Sequence, residues 1–101
     1  MDFDNEQLTD LLARCAIKDQ RALEKLYQSV SGYLNAVAFR IVKNHDSSNE
    51  ILQEAFIQIW HNASSYRAYE AQALTWMTSI VRYRALDRVR AEQRHQNHLK
   101  Q

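Results

Sequence analysis

Turn-forming residues are almost absent from this 101-residue chain, which has one glycine, Gly32, and no proline. An all-β domain needs turn residues every ~8–12 positions, so the composition argues against a sandwich or a barrel. Hydrophobic residues make up 46% of the chain and charged residues 25%, which is typical of a globular domain with a modest core. We therefore expect a single all-α domain over residues 1–101.

Cysteine and long apolar runs are also scarce. The single Cys15 excludes an internal disulfide and fits a reducing compartment. It follows Leu8, Leu11 and Leu12 at helical spacing, which predicts a buried structural thiol. No window approaches the ~18 apolar residues of a membrane span, and the acidic start is unlike a signal peptide. We expect a cytoplasmic protein without membrane insertion.

Signatures of catalysis and metal binding are missing as well. The chain has no glycine-rich phosphate loop, no pair of cysteines and no His-Glu-x-x-His zinc motif. His95 and His98 share a helix face, but they lie in a polar terminal tail, where a surface role is favoured over metal binding. We therefore predict no catalytic residue, no metal and no cofactor.

Hydrophobic periodicity predicts a compact bundle of about four helices. The predicted helices span about residues 5–16, 19–43, 47–60 and 71–94, followed by a polar tail that frays. Asp19 is the predicted N-cap of the second helix, in which Gly32 allows a bend and which Asn44 ends. A capping box, from Ser47 to Glu50, is predicted to start the third helix.

Charge is distributed unevenly along the chain. Residues 1–66 contain nine acidic and six basic side chains, a net charge of −3. Residues 82–101 contain six basic and two acidic side chains, a net charge of +4. This asymmetry indicates two different partners, with the basic end a candidate for nucleic acid.

The predicted third helix carries a polar stripe beside its apolar face. Ile51, Leu52, Ala55, Phe56 and Ile59 form the predicted apolar face. The stripe consists of Glu50, Gln53, Glu54 and Ile57, at spacings i, i+3, i+4 and i+7. Carboxylates and an amide in one cluster suit Arg and Lys on a partner; a solvated helix face is the alternative.

The predicted last helix has an outward side of a different kind. Leu74, Met77, Val81 and Ala85 cluster inward at 3.6-residue spacing. The residues that point the other way, or flank that side, are Ser79, Arg82, Tyr83, Leu86, Asp87 and Arg90. An exposed aromatic among arginines suits simultaneous contact with bases and phosphates.

Three segments in register resemble the sigma-70 family, and in particular its small extracytoplasmic-function (ECF) group. They are the run from Ser47 to Trp60, the run from Leu74 to Arg82, and Arg84-Ala85-Leu86-Asp87-Arg88-Val89-Arg90. The resemblance covers roughly residues 10–94 and implies the all-α region 2 domain of a sigma factor. Such a domain binds core RNA polymerase and recognises and melts the promoter −10 element.

The resemblance also implies roles for particular residues. Glu50, Gln53, Glu54 and Ile57 match positions that dock on the clamp helices of the polymerase's largest subunit. Positions matching the family's contacts to the non-template −10 strand are Ser64, Ser65, Tyr66, Arg67, Tyr69, Arg82, Tyr83, Leu86, Asp87 and Arg90. An anti-sigma factor is an expected further partner. The family's −35-reading domain is not within these 101 residues, so we expect one domain of a longer protein.

Two other functions remain open at the level of sequence. A helical protein–protein adaptor could use the acidic stripe without any DNA role, although it would not need Tyr83 among arginines opposite the core. A helix-turn-helix repressor would need two short helices joined by a tight turn, which the long final helix does not provide.

Overall fold

A computed structural model describes residues 3–99, and within that range the chain forms four α-helices and one short 3₁₀ turn. Their bounds are α1 Asn5–Ala16, α2 Gln20–Val42, α3 His45–Asn62, the 3₁₀ turn Ala63–Ser65, and α4 Ala73–Leu99. The described residues contain no strand. The all-α, four-helix prediction is therefore confirmed.

Two aspartates start the first two helices. The Asp4 carboxylate accepts hydrogen bonds from the Glu6 and Gln7 amides, and Asp19 does the same for the Arg21 and Ala22 amides. Each pair satisfies backbone donors that have no partner within the helix. The predicted cap at Asp19 is confirmed, and α2 continues through Gly32 to Val42.

The predicted start of α3 is wrong by two residues. Lys43 adopts a left-handed conformation (φ 56°) after α2, and Asn44 is extended. The Asn44 side chain then accepts from the Ser47 amide at 2.8 Å and is the N-cap. Ser47 and Ser48 therefore lie inside the first turn, and the buried Ser48 hydroxyl donates to the His45 carbonyl. An amide oxygen already in place one turn earlier makes the Ser47 cap redundant.

α4 also departs from prediction at both ends. It begins at Ala73 rather than near Ala71, and it continues past Arg94 to Leu99. Every described side chain from Arg90 onward is exposed. The predicted frayed tail is therefore helical as far as Leu99, while its last residues, 100–101, lie outside the described range.

The core lies where one stripe from each helix meets. Its buried members include Leu8, Leu11, Leu12, Cys15, Leu26, Val30, Leu34, Ile51, Phe56, Ile59, Met77, Val81 and Ala85. The members from α1, α3 and α4 are those predicted from sequence to lie on buried faces. Burial of each large side chain stabilises the fold by about 1.5–3 kcal/mol relative to exposure. The remaining faces of α3 and α4 are left available for the surfaces described next.

Candidate functional site

The docking stripe, Glu50, Gln53, Glu54 and Ile57, lies beside the buried face of α3, as its spacing predicts. Ile57 is 59% exposed although it is a large apolar side chain. Gln53 and Glu50 are also exposed, and Glu54 is half-buried. Ile57 therefore gives the docking stripe an exposed apolar side chain beside its polar groups.

The two carboxylates of the docking stripe are paired with arginines of α4. Glu54 contacts Arg84 at 3.2 Å and Arg88 at 3.5 Å, and Glu50 contacts Arg88 at 3.1 Å. The Arg84 Nε also donates to the Gln58 side chain at 2.7 Å. This network was not predicted from the sequence, where both arginines were grouped with the basic end facing nucleic acid. One pattern in the sequence was consistent with this pairing. Glu50 and Glu54 are four residues apart on α3, and Arg84 and Arg88 are four residues apart on α4, so each pair lies on one side of its helix.

The connecting loop, residues 63–72, is closed by its first tyrosine. The Tyr66 hydroxyl donates to the Ala71 carbonyl at 2.7 Å, and its ring lies 5.4 Å from the Trp76 ring. Trp76 therefore buttresses the loop. Arg67 Nη1 donates to the Ser64 carbonyl at 2.7 Å, which folds the loop further. By contrast, Tyr69 is 84% exposed.

A cavity of about 270 Å³ lies between the connecting loop and α1. Ala63, Ser64, Tyr66 and Ala68 line its loop side, and Thr9, Ala13 and Ala16 line its α1 side. The Thr9 hydroxyl is buried and has no hydrogen-bond partner among residues 3–99. Sequence alone does not associate α1 with the loop, because no local pattern links segments so far apart.

The α4 outer face comprises Arg82, Tyr83, Leu86, Asp87 and Arg90, and all five are exposed. Tyr83 is 68% exposed and Leu86 38%. Within the described range, neither Arg82 nor Arg90 forms an ion pair. Guanidinium groups without an internal partner are available for phosphates or other anions.

Neither metal binding nor a reactive thiol gains support from the geometry. Between residues 3 and 99, no three His, Cys, Asp or Glu side chains are close enough to hold a metal ion. Cys15 is fully buried, and burial, reinforced by the charge of Asp19, raises the pKa of its thiol. A neutral, enclosed thiol is a poor nucleophile.

No helix in the described part of the chain is both long and apolar enough to cross a membrane.

Comparison with known proteins identifies the family. Residues 26–95 match the family described as Sigma-70 region 2. The chain is 33% identical over 89 residues to the ECF RNA polymerase sigma factor SigK of Mycobacterium bovis (strain BCG / Pasteur 1173P2), covering 88% of this chain and 48% of that protein. It is 31% identical over 87 residues to the protein of the same name from Mycolicibacterium vanbaalenii, covering 86% and 44%. The chain thus spans about half the length of these relatives, and it belongs to the sigma-70 region 2 family, in the ECF group.

Proposed function

We propose that this domain binds core RNA polymerase and recognises and melts the promoter −10 element during transcription initiation. The observation that carries the proposal is the presence of two chemically distinct exposed surfaces on one bundle. The docking stripe on α3 is acidic, amide-bearing and apolar, whereas the α4 outer face combines tyrosine with arginines that form no ion pair within residues 3–99. Family membership supports the assignment of the first surface to polymerase and of the second to DNA.

Within the docking stripe, Gln53 and Ile57 are the side chains most available to a partner. Glu50 and Glu54 are each already paired with an arginine of α4. A basic helix of the polymerase would add to this network or compete with it, since a carboxylate can accept several hydrogen bonds. Ile57 would supply the apolar anchor of the contact.

At the α4 outer face and the connecting loop, the free energy of binding would drive strand separation rather than a chemical step. Unstacking a base costs a few kcal/mol, and stacking on an aromatic side chain returns ~1–3 kcal/mol per base. Tyr83 on the α4 outer face offers such a platform, while Arg82 and Arg90 would attract phosphates. No catalytic group is required.

The two loop tyrosines would have different roles in this mechanism. Tyr66 is tied to Ala71 and packed on Trp76, so we assign it to the shape of the loop. Tyr69 projects into solvent, so we assign it to contact with an unstacked base. Exposed Ser64 and Ser65, together with Arg67, would add polar contacts to the same strand. An anti-sigma factor that covered either surface would block the function.

Polymerase docking is tested by Ile57→Asp, with Ile17→Asp as the matched control. Both isoleucines are exposed, at 59% and 80%, so neither change should unfold the domain. We expect Ile57→Asp to weaken core binding in a pull-down or an interferometry assay about tenfold or more, which is the usual cost of losing an interface anchor. Ile17→Asp should bind like the parent. Equal binding by both variants would refute docking through α3.

Charge reversal at Glu54 does not separate polymerase docking from the stability of the fold. Glu54→Lys would bring a cation to within contact distance of Arg84 and Arg88, and so it would destabilise the fold as well as the interface. Its melting temperature should therefore fall together with its affinity for the polymerase.

DNA binding is tested with core polymerase, this chain and a promoter whose −10 element carries thymines. Tyr69→Ala should impair opening, measured by permanganate reactivity of unpaired thymines, and Tyr66→Phe should do so less because the ring packing survives. Arg90→Ala should weaken binding and flatten its salt dependence, whereas Arg21→Ala on α2 is the control. Opening that is equal in all variants would refute the DNA assignment, and polymerase binding without any opening would favour the adaptor.

A further inference from the structure

A groove of about 250 Å³ runs between α2 and α4 and shares only Arg82 with the surfaces described so far. We call it the hydroxyl groove. It is lined by Tyr33, Leu74, Thr75, Thr78, Ser79 and Arg82. Tyr33 is 37% exposed, and its ring makes an edge-to-face contact with the ring of Phe3. The two ring centres are 5.6 Å apart. The wall supplied by α2 is therefore fixed by packing.

The chemistry of the hydroxyl groove suits a phosphate group. It presents the hydroxyls of Tyr33, Thr75 and Thr78 together with the Arg82 guanidinium, and no carboxylate lines it. In the described range, neither threonine hydroxyl has a hydrogen-bond partner, and Arg82 has no ion pair. The Ser79 hydroxyl differs, because it donates to the Trp76 carbonyl at 2.6 Å. Several free donors around one guanidinium are the usual means of holding a phosphodiester.

The groove is also continuous with the α4 outer face. Thr75, Ser79, Arg82, Leu86 and Arg90 follow one another at steps of three or four residues, which places them along one side of the helix. Arg82 belongs to both surfaces. A strand stacked on Tyr83 would therefore meet the groove one to two turns toward the start of α4.

We propose that the hydroxyl groove binds one backbone phosphate of the DNA strand that lies on the α4 outer face. This inference rests on the proposed DNA-binding function and extends the contact surface to α2 through Tyr33. Its occupant is a phosphodiester within a continuous strand, which distinguishes it from a site for free phosphate. Tyr33 and Thr78 would position the strand through its backbone, while the bases would be recognised by the α4 outer face and the connecting loop.

The test uses single-stranded non-template −10 oligonucleotides in which one phosphate at a time is replaced by an uncharged methylphosphonate. Binding to this chain with core polymerase is measured by fluorescence anisotropy. The variants are Arg82→Ala, Thr78→Val and Tyr33→Phe. Tyr27→Phe is the matched control, since Tyr27 is also a half-exposed tyrosine of α2 (45%) but lies outside the groove.

We expect one methylphosphonate position to weaken binding of the parent. Thr78→Val and Tyr33→Phe should each lower affinity about tenfold or more, as loss of one hydrogen bond to an anion does. Arg82→Ala should reduce the salt slope by about one. In Arg82→Ala that methylphosphonate position should cause little further loss, and in Thr78→Val and Tyr33→Phe it should cause a smaller loss than in the parent, whereas Tyr27→Phe should behave like the parent.

Four results would overturn the groove proposal, and they distinguish its failure from failure of the proposed function. If Tyr69→Ala and Arg90→Ala weaken binding but Thr78→Val and Tyr33→Phe do not, the groove assignment is wrong and the proposed function stands. A methylphosphonate effect that persists undiminished in the variants leads to the same conclusion. If the parent with core polymerase binds no −10 oligonucleotide, the DNA function itself fails, and the groove proposal fails with it. Inorganic phosphate that competes at millimolar level or below would identify a free-anion site instead.

Discussion

The start of α4 depends on a side chain from the opposite end of the chain, and its removal is a demanding test of the structure. Asn5 Oδ1, in the first turn of α1, accepts a hydrogen bond from the Ala73 amide at 2.8 Å. Ala73 is fully buried, so water cannot replace that acceptor. The residues just before α4, Glu70-Ala71-Gln72, include none of the preferred N-cap types.

We expect Asn5→Ala to lower the free energy of unfolding by about 1–2 kcal/mol. Loss of an N-cap costs about 0.5–2 kcal/mol, and a buried amide without a partner costs about 1–3 kcal/mol; the two figures describe the same loss and are not summed. For a domain of about this size, the melting temperature should fall by roughly 5–15 °C. Thermal and urea unfolding followed by far-ultraviolet circular dichroism measures both quantities.

Two controls separate the cap from other effects of the substitution. Asn5→Asp keeps an oxygen acceptor, and a carboxylate is favourable at the N-terminus of a helix, so this variant should retain most of the stability. Gln7→Ala changes an exposed side chain of the same helix turn and should be nearly neutral. If Asn5→Ala is as stable as Gln7→Ala, or if Asn5→Asp loses as much as Asn5→Ala, the inter-helix cap does not stabilise the fold.

Other substitutions should have smaller effects. Gly32→Ala should raise the free energy of unfolding by about 0.5–1 kcal/mol in urea titrations, since Gly32 is an exposed helix residue whose added Cβ would meet no atom within 4 Å; a loss would indicate a conformation that only glycine tolerates. A double-mutant cycle of Arg84→Ala and Glu54→Gln should give a coupling of at most about 1 kcal/mol because both groups are partly exposed, and a much larger value would mean a dry ion pair. The raised pKa of Cys15 means that the folded state holds the thiol proton more tightly than the unfolded state. Stability should therefore be complete below the thiol's ordinary pKa and decline as pH rises above it, and alkylation of the native protein at neutral pH would contradict the burial.

Local sequence was sufficient to predict most of the helical architecture. The bounds of α1, the cap at Asp19 and the inward faces of all four helices follow from rules that act over three or four residues. The position of the docking stripe beside the α3 core face follows in the same way. The start of α3 was missed because Asn44 and Ser47 are both good caps, and the choice between them depended on where Lys43 turned the chain after α2.

The remaining features of the candidate site were decided by tertiary structure. Arg84 and Arg88 look in sequence like any other members of a basic helix end, yet packing of α4 on α3 turns them toward Glu54 and Glu50. The same is true of the Asn5 cap, whose partner is 68 residues away.

Sequence alone thus determined the number of helices, most of their extent and which face of each helix is buried, because these depend on the 3.6-residue repeat and on the backbone donors at helix ends. It could not determine which exposed side chains meet across two helices, because that depends on the angle and register at which the helices pack. The hydroxyl groove, with Tyr33 from α2 facing Thr78 and Arg82 from α4, is formed only by the packing of these two helices.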